Sequence, residues 1–179
     1  YFEIKNIVEA IKKYHRIKAD MPKLDYEKLL DSYRLKINPK ERIYNSKLTY
    51  SNIFEGEYEL SHFDLVDNNI LLDSNSNVTL IDFEFACYAP KYFDLVSLLG
   101  ENRFSKEIEE MIIDIYFDNK EEKNEFLAKK DELLAIADLL WYHWAKARSL
   151  SPFADKKKIY LSIAKDKKES LEQYLKTSK

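Results

Sequence analysis

Residues 61–72, Ser61-His62-Phe63-Asp64-Leu65-Val66-Asp67-Asn68-Asn69-Ile70-Leu71-Leu72, decide the fold. A histidine, an acid two positions on and an amide five beyond that feed directly into an apolar run. Immediately downstream lies Asp73-Ser74-Asn75-Ser76-Asn77, a dense set of turn formers, and then a second apolar run, Val78-Thr79-Leu80-Ile81. Two short apolar runs around such a turn predict a β-hairpin. The second strand exits into another acidic pair, Asp82-Phe83-Glu84. In a hairpin the start of one strand lies beside the end of the other, so Asp64, Asn69 and Asp82 are predicted to gather at one end.

Outward from the hairpin the period changes. Ile4, Ile7, Val8, Ile11 and Tyr14 recur at helical spacing and predict a helix ending near Asp20, with Pro22 just beyond. Tyr26, Leu29, Leu30, Tyr33 and Ile37 predict a second, stopping at Asn38-Pro39. Residues 40–58 read as a further short helix and a loop. After Pro90 the helical period returns at Ile108–Ile115, Leu133–Arg148 and Ile159–Tyr174. The charged stretch Asn119–Lys130 reads as a solvated helix start or a connection. The expectation is an α+β chain, mainly α, forming one domain over 1–179 around one small hairpin.

Bulk composition narrows the function classes. The chain has 179 residues, enough for a real core, with 45% hydrophobic and 34% charged residues. Its net charge of −3, with both signs interspersed, lacks the basic stripe of a nucleic-acid binder. No apolar stretch is long enough for a membrane span. The N-terminal Tyr1-Phe2-Glu3 does not read as a signal peptide and carries no Met, as expected of a fragment or a processed piece. The single Cys87 has no internal partner and lies in an apolar context. It reads as a buried, inert thiol in a reducing, cytoplasmic protein. Only two glycines occur, Gly56 and Gly100, so the chain has no Gly-rich loop to cradle phosphates.

The polar cluster at the hairpin has a specific chemistry. Oxygen ligands from an Asp and an Asn suit Mg²⁺, which is held by one or two protein oxygens plus substrate phosphates. A remaining Asp can accept the proton of an attacking hydroxyl. His62, Asp64 and Asn69, followed by Asp82-Phe83, match the order of the kinase phosphoryl-transfer template, with Glu84 in place of its glycine. Asp and Asn are also ordinary turn and cap residues, and Asp73 and Asn75 are assigned wholly to the turn. Turn propensity does not account for the ordered set of His, Asp, Asn, strand, turn, strand and Asp-Phe. Within the catalytic segment, His62 reads more readily as a brace for the loop than as a reacting group.

"LSHFDLVDNNILLD" (60–73) and "LIDFEFACYAPKYFDLVSLL" (80–99) resemble the catalytic and metal-binding segments of choline/ethanolamine kinases. These belong to the kinase-like phosphotransferases that include the aminoglycoside phosphotransferases. Asp82-Phe83-Glu84 with the later Phe93-Asp94 is closer to choline kinases than to the antibiotic kinases. Within that family the chain most resembles the bacterial choline kinases of the phosphocholine-decoration pathway. The resemblance implies a protein-kinase-like C-terminal lobe using ATP and Mg²⁺. In it Asp64 is the catalytic base, Asn69 and Asp82 hold Mg²⁺, Glu84 is a further acid near the metal, and Asp94 braces the loop.

Trp141 and Trp144, the only tryptophans, are three apart on a predicted helix and so share a face. Trp faces attract cations, and an aromatic cage can hold a quaternary ammonium. Trp pairs at helical spacing more often anchor a core. The family resemblance favours the cage, with Tyr160 as its later aromatic and Glu101 as an acid close to the ammonium. The expected substrate is therefore choline or ethanolamine. Alternatives are another hydroxylated acceptor, such as an aminoglycoside, on the same fold, or a non-catalytic binding module. The resemblance covers the C-terminal lobe only. It predicts that the N-terminal ATP-binding lobe lies outside this chain and that residues 1–179 alone transfer phosphate poorly.

Overall fold

The structure, a computed structural model, describes residues 2–44, 53–150, 152 and 156–177. The chain divides into two compact units, one of residues 1–24 and 52–130, the other of residues 25–51 and 131–179.

In the first unit, α1 (Phe2–His15) buries Val8 and Ile11. It stops five residues short of the predicted end because the following backbone is used elsewhere. Leu24 N–H donates to the Tyr88 carbonyl, Tyr88 N–H donates to the Pro22 carbonyl, and the Tyr88 hydroxyl bonds both backbone groups of Ala19. Pairing with a strand takes residues 19–24 out of the helix, an override that periodicity does not register.

The expected hairpin is present. β2 (Ile70–Leu72) pairs antiparallel with β3 (Val78–Leu80), with Ile70 opposite Leu80 and Leu72 opposite Val78. Its turn is organised by Asp73, whose carboxylate accepts from the Asn75 and Asn77 backbone N–H groups and the Asn77 amide, all at 2.8 Å. Ser76 takes φ 60° to close it.

A second two-stranded sheet extends the expected architecture. β1 (Tyr58–Ser61) pairs antiparallel with β4 (Cys87–Pro90), from Tyr58 opposite Pro90 to Ser61 opposite Cys87. Four residues each, ending at Ser61 and at Pro90, give no clean alternation to read. The helix α3 (Phe93–Glu101) was equally invisible to periodicity. Every residue from Phe93 to Leu99 is buried, so it has no polar face to set a period. Then α4 (Lys106–Tyr116) buries Ile112, Ile113 and Tyr116. The charged stretch after Asn119 is the start of a 29-residue helix, α5 (Lys120–Arg148). The Asn119 side chain caps it by accepting from Glu122 N–H at 2.7 Å. Phe126, fully buried, packs on Tyr92 and Phe117 with ring centroids 5.4 and 5.3 Å away.

In the second unit, α2 (Tyr26–Arg34) starts at a cap in which the Asp25 carboxylate accepts from Lys28 N–H. The chain leaves the helix before Ile37 and makes a 3₁₀ turn at Pro39–Glu41, while residues 45–52 of the expected helix and loop lie outside the described residues. α6 (Lys157–Thr177) supplies Ala164 and Leu171, and α5 supplies Leu133, Ile136, Leu139 and Leu140. The Tyr26 hydroxyl donates to the Ile136 carbonyl at 2.7 Å. Lys167 and Asp138 form a buried ion pair at 3.0 Å.

His143 lies at the centre of this unit, with no solvent exposure. Its Nδ1–H donates to the Leu139 carbonyl at 2.8 Å and its Nε2 accepts from Ile43 N–H at 3.2 Å. Only the neutral ring satisfies both bonds. Burial pulls its pKa from 6.5 down to about 4. Below pH 6.5 the unfolded chain takes up a proton that the folded chain refuses, so stability falls as pH drops from 6.5 toward 4. The loss reaches about 3 kcal/mol at most. Denaturant unfolding of the wild type between pH 7 and 4.5, compared with His143→Gln, checks this. The Gln variant is expected to lose that part of the acid slope, and identical slopes would exclude it.

Candidate active site

The site is built at the mouth of the β2–β3 hairpin. After β1, the backbone turns through Phe63 at φ 71°, a left-handed conformation that a bulky residue adopts only at a cost. Asp94 near the start of α3 holds it there. The Asp94 carboxylate, with no exposure, accepts from His62 N–H at 2.8 Å and Phe63 N–H at 2.7 Å. One turn along the same helix, the Ser97 hydroxyl accepts from Leu65 N–H at 2.9 Å, and the Asn102 amide donates to the Leu65 carbonyl. The loop is thus bonded along both backbone edges to α3 and its C-terminal end.

His62 is fully buried, and both its ring nitrogens are committed. Nε2–H donates to the Ile81 carbonyl at 2.8 Å, and Nδ1 accepts from Asp64 N–H at 3.3 Å. It therefore ties the loop to the residue just before Asp82. Its ring also packs on Phe83, centroids 4.5 Å apart.

Asp64 and Asn69 meet directly. The Asn69 amide, 7% exposed, donates to the Asp64 carbonyl at 2.9 Å and to its carboxylate at 3.2 Å. The amide nitrogen faces Asp64 in both bonds, and among the described residues the Asn69 Oδ1 accepts no hydrogen bond, so it can serve a cation as a hard-oxygen donor. A 3₁₀ turn at Asp67–Asn69 directs this side chain inward. Ile81 N–H donates to the Asn69 carbonyl, extending the ladder to the residue before Asp82. Asp82 and Glu84 are both exposed, and Asp82 has φ 63°, which Asp tolerates better than most residues. The Asp64 pKa is raised, first by burial and further by Asp82 and Glu84, against the opposing pull of His62 and Asn69. The predicted loop and hairpin residues, His62, Asp64, Asn69, Asp82 and Glu84, are thus neighbours, with Asp94 behind them.

This donor set suits Mg²⁺ carried with phosphates. Asn69 Oδ1 and the Asp82 carboxylate are hard oxygens, and one or two protein oxygens suffice for it. Among the described residues, no group of three or more His, Cys, Asp or Glu side chains is arranged to hold a metal on protein ligands alone.

The predicted acceptor residues divide between the units. Glu101 is the last residue of α3, in the first unit. Trp141, Trp144 and Tyr160 belong to the second. There Trp144 stands perpendicular to both neighbours, with centroids 5.6 Å from Trp141 and 5.4 Å from Tyr160. Trp141 is 7% exposed, so it is largely a core residue. The Arg148 guanidinium already lies over this corner, 5.7 Å from the Trp144 centroid and 6.0 Å from that of Tyr160.

Sequence reading missed a group behind the loop. His15, at the C-terminus of α1, places Nε2 3.0 Å from Asp94 and Nδ1 3.3 Å from Glu59, with the Tyr116 hydroxyl 3.4 Å from Nδ1. The four residues come from α1, α3, β1 and α4. No local pattern links positions 15, 59, 94 and 116.

Comparison with known proteins agrees with this architecture. Residues 2–132 match the choline/ethanolamine kinase family. The LicA protein homologue of Mycoplasma capricolum is 22% identical over 120 residues, a match spanning 64% of this chain and 50% of that protein. Protein LicA of Haemophilus influenzae is 29% identical over 92 residues, spanning 49% and 34% respectively. The chain thus spans half or less of the curated relatives it matches. The fold is also that of two solved structures, each superposing on 96% of this chain. They are an ethanolamine kinase of Plasmodium vivax (TM-score 0.66, 18% identity, 58% of that chain) and the choline kinase LicA of Streptococcus pneumoniae (0.69, 17%, 64%). A structure of LicA in complex with AMP superposes with TM-score 0.72, at 17% identity over 62% of its chain. With the family match extending from α1 into α5 and the fold shared across nearly every residue, this chain belongs to the choline/ethanolamine kinase family.

Proposed function

We propose that the full-length protein is a kinase that transfers the γ-phosphoryl group of ATP to the hydroxyl of choline or ethanolamine. The observation that supports this reading is the bonding of Asn69 to Asp64, with Asp82 near enough for its charge to act on the Asp64 carboxyl. Asp64 accepts the proton of the acceptor hydroxyl as its oxygen attacks phosphorus. Its raised pKa makes it a better base than an ordinary carboxylate. Asn69 Oδ1 and Asp82 would hold Mg²⁺, with Glu84 a further acid beside them. When bound, Mg²⁺ neutralises charge on the phosphates. His62 and Asp94 keep the loop in register and touch no substrate.

For the acceptor, Trp144 and Tyr160 offer faces to an ammonium, with Trp141 behind them. Arg148, already over these rings and itself exposed, is the resident cation that an incoming ammonium displaces. No helix among the described residues is long and apolar enough to cross a membrane. A dependence on ATP and a buried lone Cys87 suit a cytoplasmic enzyme.

The test is an ATP-dependent phosphorylation assay of the full-length protein, with and without Mg²⁺, against choline, ethanolamine and an aminoglycoside. Mg²⁺-dependent product from either amino alcohol is the expected result. Product from the aminoglycoside alone would overturn the acceptor reading, and no product with any acceptor would overturn the kinase reading.

A further inference from the structure

We propose that His15 is a positioning residue for the catalytic loop, acting through Asp94; the proposal rests on the reading of Asp64 as the base carried by that loop. The Asp94 carboxylate does three things at once. Oδ1 accepts from Phe63 N–H, while Oδ2 accepts from His62 N–H and faces His15 Nε2. Two neutral backbone N–H groups are weak compensation for a charge with no solvent exposure. The imidazole supplies the remaining donor and, when protonated, the counter-charge. What it holds is strained: Phe63, at φ 71°, immediately precedes Asp64. If the carboxylate shifts, Phe63 relaxes and Asp64 moves with it.

The surroundings of His15 favour its charged form. It is the last residue of α1, at the negative end of the helix. Asp94 faces it from α3, Glu59 from β1 and the Tyr116 hydroxyl from α4; Tyr14 is its neighbour on α1. Glu59 in turn accepts from Tyr92 N–H, and Lys91 and Glu122 lie beyond as an ion pair. Burial pulls the His15 pKa down, but the Asp94 hydrogen bond and the Glu59 and Asp94 charges outweigh it and leave it above 6.5. A raised histidine pKa means the ion pair is complete at low pH and is lost as pH rises through the folded value. Deprotonation leaves Nε2–H on Asp94, and the Tyr116 hydroxyl can turn to donate to Nδ1. The counter-charge is lost while the geometry is kept, so the loop loosens without unfolding.

The experiment compares wild type with His15→Gln, which returns a neutral donor to Asp94, and His15→Phe, which returns none. Steady-state kinetics are measured on the full-length protein, and hydrogen exchange at the His62 and Phe63 amides on this chain. His15→Phe is expected to lower kcat on the order of 10- to 100-fold with KM little changed, because a small displacement of a reacting group costs that much. Exchange at His62 and Phe63 should accelerate more than at the β1–β4 ladder. His15→Gln, a neutral donor at every pH, should be faster than His15→Phe, match the wild type at the high-pH end of its kcat profile, and lose the basic limb. Wild-type kcat and unchanged exchange in His15→Phe would overturn the proposal. So would exchange that accelerates equally across β1, β4 and α3, which marks a residue of the fold alone. If His15→Phe does not fold, His15→Gln decides: a pH profile identical to wild type overturns the role. If the wild type phosphorylates no acceptor, the kinase reading fails on its own. Exchange then decides whether His15 clamps the loop, with selective acceleration supporting it and none refuting it.

Discussion

Replacing Asp64 by Ala in the full-length protein is expected to lower kcat by about 10²- to 10⁴-fold, the range that a positioned general base contributes. The chain should still fold. Among the described residues its carboxylate is bonded by the Asn69 amide alone, which also donates to the Asp64 backbone carbonyl, a group the substitution keeps. Burial and the charges of Asp82 and Glu84 all disfavour an ionised Asp64. Removing it relieves repulsion, so stability should change by less than about 1 kcal/mol and toward a gain. Asp64→Asn separates the two contributions. It keeps an oxygen for the Asn69 amide to bond and cannot take a proton, so it should be nearly as slow as the Ala variant. Turnover within a few-fold of wild type in both variants, with unchanged unfolding midpoints, would remove Asp64 from the reaction.

The second large effect is on stability. Asp94→Ala should destabilise this chain by about 3–5 kcal/mol, the cost of removing one partner of a buried ion pair. Two backbone N–H groups lose their acceptor, and His15 is left as a buried cation facing Glu59 alone. Asp94→Asn should cost less, since one carbonyl oxygen can still accept a loop amide while its NH₂ faces donors. Denaturant unfolding of residues 1–179 checks the order Ala, Asn, wild type from least to most stable. A His15 titration followed by NMR should move to lower pH in both variants. If Asp94→Ala unfolds at the wild-type midpoint, the clamp carries no energy, and the fixed loop needs another cause.

Much of the site was legible because its residues lie close along the chain. Asp64 and Asn69 are five apart, and Asp82 follows a hairpin whose turn formers, Asp73 to Asn77, are read one by one. Local spacing plus one strand pairing is enough to bring them together. The helices were legible only where one face is polar. α1 and α4 alternate as surface helices do and were read, whereas α3 is buried all round. The partners in the β1–β4 ladder are 26 to 32 residues apart, and neither strand alternates. The end of α1 was misjudged because Pro22 and Leu24 bond Tyr88, more than 60 residues away.

The residues alone determined the order of the candidate groups, an acid, an amide and a second acid around one hairpin, and the family that this order resembles. Tertiary structure alone decided what holds that chemistry in place. Asp94 and Ser97 reach back across some 30 residues to bond the loop, and His15 meets Asp94 across 79. It also put a resident cation, Arg148, over the tryptophan corner. The physical reason is range. Turn propensity and strand alternation act between near neighbours and are written locally. The compensation of a buried charge depends on whichever groups the packed chain brings within about 3 Å, and spacing along the polymer says nothing of those.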